Sequence, residues 1–266
     1  MLESKGYSSK DIIDVNYDKE IEGINLNATS FDDSRIKNIL GIAIDEALDT
    51  IGASNLAGRK VDIVAHSMGG LVVRSFCEKE KEFCKESIRK LITIDTPHQG
   101  SELADLLLIY RDQRDKFPTR LLCHTRVGIF VKGSKRFKID PHPIDKGGVD
   151  ALAVSKVPDG IGAGAEPPKI GAWQGLSRTD VPVHLIVGDA TRYQDAEIKG
   201  LWNDLLTPCG FDRTSVFSGE GGDDGIVGVL SQMDGVRGRV LDEDHFSTLE
   251  SEEVFKEVEK LLDVSK

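Results

Sequence analysis

The sequence predicts an α/β domain built on a mostly parallel β-sheet covered by helices on both faces. Two observations carry this. Short runs rich in Val, Ile and Leu recur at residues 11–17, 61–65, 91–95, 183–187 and 236–241. Between them lie stretches whose apolar residues return every three to four positions, the alternation that brings parallel strands together through crossover helices.

Residues 11–17 (DIIDVNY) read as the first strand. Ser34 can cap a helix whose apolar positions Ile36, Leu40, Ala43, Ala47 and Ile51 share one face. Residues 61–65 form the second strand, followed directly by a helix over 68–77. Residues 91–95 (LITID) form the third, and a Pro-His-Gln-Gly turn leads into a helix over 101–110. The strand at 183–187 and another at 236–241 complete the sheet. A last helix from Leu249 carries Val254, Val258, Leu261 and Leu262 on one face.

Residues 111–175 break this rhythm, with a basic stretch (Lys132, Lys135, Arg136, Lys138) and a Gly/Pro-rich run over 158–171. A connection this long inside a compact domain is usually a functional lid or a linker. The predicted organisation is therefore a core of 1–110 and 176–266 with a cap or lid insertion at 111–175. The basic stretch reads as a solvated edge.

A formal net charge of −11 excludes a nucleic-acid partner, which requires a concentrated positive surface. No segment approaches the ~20 apolar residues that span a bilayer. The four cysteines (Cys77, Cys84, Cys123, Cys209) include no C-x-x-C pair and read as reduced, mostly buried thiols. On one unbroken helix the Cα atoms of Cys77 and Cys84 would lie ~10 Å apart. A bridge between them would require the helix to end in between.

The chemistry concentrates at Val61-Asp62-Ile63-Val64-Ala65-His66-Ser67-Met68-Gly69-Gly70. The segment reads strand, sharp turn, helix, with Ser67 at the apex and small residues two places before (Ala65) and two after (Gly69). Bulk at those positions would push strand and helix apart, and the strained turn lifts the serine hydroxyl clear of the sheet. The same turn aims the Met68 N–H, at the helix N-terminus, toward a developing oxyanion. Ser67 is the expected nucleophile.

The segment from Ala65 to Arg74, together with Leu91-Ile-Thr-Ile-Asp-Thr-Pro-His-Gln-Gly-Ser101, resembles the lipase branch of the α/β-hydrolase fold. Within that branch it is similar to bacterial triacylglycerol lipases and lipase-like GPI-inositol deacylases. The resemblance continues in Asp224-Gly225-Ile226-Val227 and in a histidine before the last helix. It implies a serine carboxylester hydrolase with chain order Ser, acid, His. The substrate would be a lipid-like or other acyl ester, with transient contact to a lipid surface. No metal or cofactor is implied, because Phe246 and Ser247 replace the aspartate that accompanies the calcium site of some relatives.

Six histidines compete for the role of base. His66 adjoins the nucleophile and is expected to point away from the site. His98 sits in a turn with a structural role, His124 and His142 fall in the lid, and His184 lies within a strand. His245, between the last strand and last helix, is where the resemblance places the base. The acid is Asp224, on the lipase-like Asp-Gly-hydrophobic-Val signature, or Asp189, which ends the strand at 183–187; Asp223 is a third choice.

One departure from the family concerns the N-terminus. Relatives have a strand and a loop bearing the second oxyanion donor before the Lys5-Gly6-Tyr7 helix end, so the chain is expected to be N-terminally truncated. The sheet would then either hold an open slot or pair the strand at 11–17 with that at 61–65. The competing reading is an incomplete or non-catalytic hydrolase-fold protein that binds a partner or a lipid. A thioesterase, amidase or acyltransferase would use the same three residues.

Overall fold

A computed structural model describes residues 12–16, 29–53, 60–113, 115–116, 148–157, 161–190, 196–217 and 219–262. Among the described residues, four strands form one all-parallel sheet in the order β1-β2-β3-β4: Val61–His66, Ile88–Ile94, Val183–Gly188 and Arg239–Leu241. Residues Lys90 to Ile94 of β2 are buried without interruption, as a strand covered on both faces must be. The same strand runs three residues further back than its LITID motif.

Alternate β2 side chains face opposite layers. On one face Leu91 joins a cluster with Leu71, Val72 and Phe76 of α2 (Met68–Lys79) and Ile36, Leu40 and Ile44 of α1 (Ser34–Ala53). On the other, Ile92 and Ile94 pack with Ile186, Leu241 and the Val254–Val258 stripe of the closing helix, Glu252–Leu262. The four-residue spacing of Val254 and Val258 places them on the side turned to the sheet.

The boundaries depart from expectation for local reasons. Residues 12–16 are described and form no strand, so β1 is an edge of the described sheet and neither an interior slot nor a 12–16 pairing is present there. The first helix is capped by Asp33 rather than Ser34: Asp33 Oδ1 accepts the Arg35 amide at 2.8 Å and the Asp33 carbonyl accepts the Lys37 amide. The last strand begins at Arg239 because the turn at Asp234 and Gly235, both at positive φ, takes in Val236, whose amide donates to the Met233 carbonyl at 2.9 Å. Residues 247–249 form a separate 3-10 turn, so the closing helix starts at Glu252.

The cysteine expectation is overturned. Cys77 and Cys84 form a disulfide with Cα atoms 5.5 Å apart. Helix α2 stops at Lys79, and Glu80, at φ −108° and ψ 49°, redirects the chain into α3 (Lys81–Ser87). That break supplies the geometric condition for the bridge. Cys209 is disulfide-bonded as well.

Candidate active site

Ser67 sits between the last residue of β1 and the first of α2, at φ 53° and ψ −133°. A non-glycine residue held there costs about 1–3 kcal/mol. The turn is pinned from below by the Ser67 amide, which donates to the Ile94 carbonyl at 2.8 Å. Met68 is the first helical residue, so its amide is one of the four that need no partner inside the helix.

Room for this turn comes from small residues. A Cβ on Gly69 would meet only the Ala65 Cβ at 3.7 Å, an ordinary contact, so this pair faces across the turn with a little space to spare. The tight position is Gly70. A Cβ there would press on the Thr96 hydroxyl, reach Thr96 Cγ2 at 2.6 Å and Thr93 Cγ2 at 3.0 Å.

The loop after β4 carries His245. Its Nε2 lies 2.9 Å from Ser67 Oγ, and its Nδ1 lies 2.7 Å from Asp224 Oδ2. Three residues 178 positions apart at the extremes thus meet in one line of hydrogen bonds. The His245 amide also donates to the Asp224 carbonyl at 3.0 Å, tying the two loops together. Burial disfavours a charged His245 ring, but the charge and hydrogen bond of Asp224, aided by Asp95 and Asp244, outweigh it and raise the pKa above its usual value.

Asp224 is wholly buried and fully engaged. Oδ1 accepts the amides of Ile226 at 2.9 Å and Val227 at 2.7 Å, and Gln232 Nε2 donates to Oδ2 at 3.2 Å. Gly225 follows at φ 94°, where a Cβ would strike Ile198 Cγ2 at 2.7 Å. The Gly225 carbonyl accepts Trp202 Nε1 at 2.9 Å, from a π-helical stretch over Gly200–Leu206. The Asp-Gly turn therefore rests on a buried tryptophan.

The other acid choices lie elsewhere. Asp189 packs against Gly222, and its Oδ1 is buried without a hydrogen-bond partner. Asp223 binds Arg213 Nε at 2.5 Å and the Gly225 amide at 2.7 Å, and burial raises its pKa to about 6. Neither carboxylate hydrogen-bonds His245.

His66 departs from expectation. It turns toward the site, donating through Nε2 to the His245 carbonyl at 2.9 Å with ring centroids 4.8 Å apart. Burial, then the nearby His245 charge, hold its pKa down to about 3, so the ring is neutral. His98 bridges Arg74 Nη1 at 3.0 Å and Thr93 Oγ1 at 3.1 Å, a buried structural link, and is also held neutral, chiefly by burial. His184 lies in β3 away from these bonds. His124, His142 and the basic stretch Lys132, Lys135, Arg136 and Lys138 lie outside the described residues.

One residue of this site was missed in the sequence. Asp95, just past β2, is completely buried at φ 51°, and its Oδ1 accepts the Gly188 amide at 2.7 Å. The sequence signal was a carboxylate closing an otherwise apolar strand. His66, Asp95 and His245 place ligand-type atoms within 4.8 Å of one another, the one such trio among the described residues. Its donors do not suit a metal, because both His245 nitrogens and His66 Nε2 are already hydrogen-bonded.

The described part of 111–175 is strapped to the helix Glu102–Asp112. Asp105 accepts the amides of Val154, Ser155 and Lys156 at 3.1, 3.3 and 2.6 Å, and Lys156 Nζ reaches Glu102 at 2.7 Å. Arg111 pairs with Asp150 at 2.8 Å, and Trp173 Nε1 donates to the Ala153 carbonyl at 2.8 Å. Among the described residues, no helix is long and apolar enough to cross a membrane.

Residues 7–124 match the family of the PGAP1-like alpha/beta domain. A 64-residue segment is 39% identical to phospholipase A(1) LCAT3 of Arabidopsis thaliana, covering 24% of this chain and 14% of that protein's length. The chain spans only that small share of the curated relative. Among solved structures, the mature form of the Bacillus licheniformis lipase BlEst2 superposes with a TM-score of 0.52 at 18% identity, over 89% of this chain and 76% of that one. That likeness is one of fold.

Proposed function

We propose that this chain, an α/β hydrolase of the lipase branch, is a serine carboxylester hydrolase acting on lipid-like acyl esters. The observation that carries the reading is the hydrogen-bonded line Ser67–His245–Asp224 with Ser67 on a positive-φ turn at a helix N-terminus. Phospholipase A(1) and lipase in the names of its relatives support the substrate class.

Chemistry follows from these positions. Ser67 Oγ attacks the ester carbonyl while His245 Nε2 takes its proton, and the Asp224 carboxylate steadies the imidazolium and holds its tautomer. The Met68 N–H and the positive end of α2 meet the developing oxyanion. The alcohol leaves with the proton from His245, an acyl-Ser67 ester remains, and water deprotonated by His245 releases the acid. Residues 111–175 act as the cap over this site, with 1–110 and 176–266 as the core, and meet a lipid surface transiently.

The test is turnover of a p-nitrophenyl acyl ester by the purified chain. Turnover that disappears in Ser67→Ala, with Ser67 labelled by a fluorophosphonate probe, supports the reading. No turnover and no labelling would favour a non-catalytic hydrolase-fold protein instead. Acyl thioesters run in parallel separate a thioesterase from an esterase.

A further inference from the structure

Asp95 occupies the end of β2, the strand beside the one that leads into Ser67. Its position is costly. The backbone is held at φ 51°, where glycine would rest without strain, and the carboxyl is fully buried with Oδ2 lacking any hydrogen-bond partner. Such an arrangement persists where the surrounding structure enforces it, and it clusters at functional sites.

What the carboxyl faces gives the cost a purpose. An Asp95 oxygen lies within 4.8 Å of ring nitrogens of both His66 and His245. Asp224 lies beside the same glycine: a Cβ on Gly188 would stand 2.9 Å from Asp95 Oδ1 and 3.1 Å from Asp224 Cβ. Gly188 thus lets both aspartates approach closely, with the Gln232 side-chain amide bonded to Asp224 Oδ2 and to the Gly188 backbone beside them. The Gly188 amide, shared with Gln232 Oε1 at 2.9 Å, anchors Asp95 Oδ1, and the Thr248 hydroxyl acts on the same carboxyl.

We propose that Asp95 is a second positioning acid for His245, facing the same imidazole as Asp224 from the neighbouring strand end and aligning it when the Asp224 carboxylate is lost. The proposal rests on the ester-hydrolase reading of His245. Titratable groups facing Asp95 are Asp224, His245 and the neutral His66, with Asp244 acting on the same histidine. Burial first, and then the Asp224 charge, push the Asp95 carboxyl well above the usual range. The two close carboxyls therefore compete for one negative charge beside His245. Removing the Asp224 charge removes the repulsion, and Asp95 becomes the anion beside His245.

Four proteins decide this: the parent chain, Asp95→Asn, Asp224→Asn and the double variant, each with the His245 ring titrated by NMR. Asparagine keeps an Oδ1 for the Gly188 amide, so the strand end is preserved. In the parent background, Asp95→Asn is expected to move the His245 titration only slightly. With Asp224→Asn present, the same change is expected to lower it by a further ~1 pH unit, the size a newly ionised close carboxylate produces. An equal effect in both backgrounds, or none in either, would overturn the proposal.

Ester turnover gives the second readout. Asp224→Asn is expected to retain ~10-fold or more activity over the double variant, whose loss approaches the ~10⁴ seen when a triad acid is removed. If turnover is absent from all four proteins, the ester-hydrolase reading fails, while the NMR comparison still decides the role of Asp95. Asp95→Gly, which relaxes the strained backbone, repeats the comparison should Asp95→Asn fail to fold, and the same ~1 pH unit difference is expected.

Discussion

His66 Nε2 donates a hydrogen bond to the backbone carbonyl of His245 at 2.9 Å, so the residue before the candidate nucleophile holds the loop that carries its candidate base. Neutral and part-buried, His66 can make this bond wherever the protein is folded. Replacing it with alanine frees the His245 backbone and leaves its carbonyl short of a donor. The expected outcome is a fall in kcat of ~10- to 100-fold with little change in KM, because misplacement of a reacting group acts on the chemical step. Steady-state kinetics on a soluble ester checks this.

The raised pKa of His245 sets the direction of two pH effects. The base works only when neutral, so kcat/KM is expected to rise with pH through a midpoint above 6.5, the ordinary histidine value. Stability runs the other way. A histidine whose folded pKa exceeds its unfolded one stabilises the fold fully below the unfolded pKa, and that contribution is lost as pH rises through the folded pKa. A pH–rate profile paired with thermal melts between pH 5 and 9 is expected to show this opposition; an acid limb below 6.5 would contradict it.

Gly69 and Gly70 are adjacent in sequence but not equivalent in the turn. Gly69→Ala is expected to be tolerated, since the new methyl meets Ala65 at an ordinary 3.7 Å. Gly70→Ala drives a methyl into Thr96 and Thr93 and is expected to cost about 1–3 kcal/mol while shifting Ser67 from its hydrogen bond. Chemical denaturation of both variants, alongside fluorophosphonate labelling of Ser67, distinguishes them.

The Cys77–Cys84 bridge closes a short loop at the end of α2 away from Ser67. Loop-closure entropy for this separation corresponds to ~2.5 kcal/mol. Cys77→Ala/Cys84→Ala is therefore expected to lower Tm by ~5–10 °C with ester turnover unchanged at 25 °C, as differential scanning calorimetry and kinetics would report.

Much of the arrangement was legible in local pattern. Strands β1 and β3 and the helix after Ser67 appear in the sequence because their signals are contiguous: apolar runs, helical spacing, and a serine between a strand and paired glycines. The cap at Asp33 and the short final strand were less legible, since Asp33 and Ser34 are both good cap residues and the turn before the strand draws Val236 in through a backbone hydrogen bond.

By itself, then, the sequence determined the fold class, the turn that presents Ser67 and the candidacy of His245, all consequences of short-range chemistry. Tertiary structure decided what distance along the chain conceals. It chose Asp224 over Asp189 as the partner of His245, because only Asp224 has its carboxylate turned to Nδ1 by the Ile226 and Val227 amides. It turned His66 inward, ended a helix so that Cys77 meets Cys84, and brought Asp95 beside His245. Each of these is a contact between segments whose relative placement follows from packing the sheet and its helices, which no local periodicity encodes.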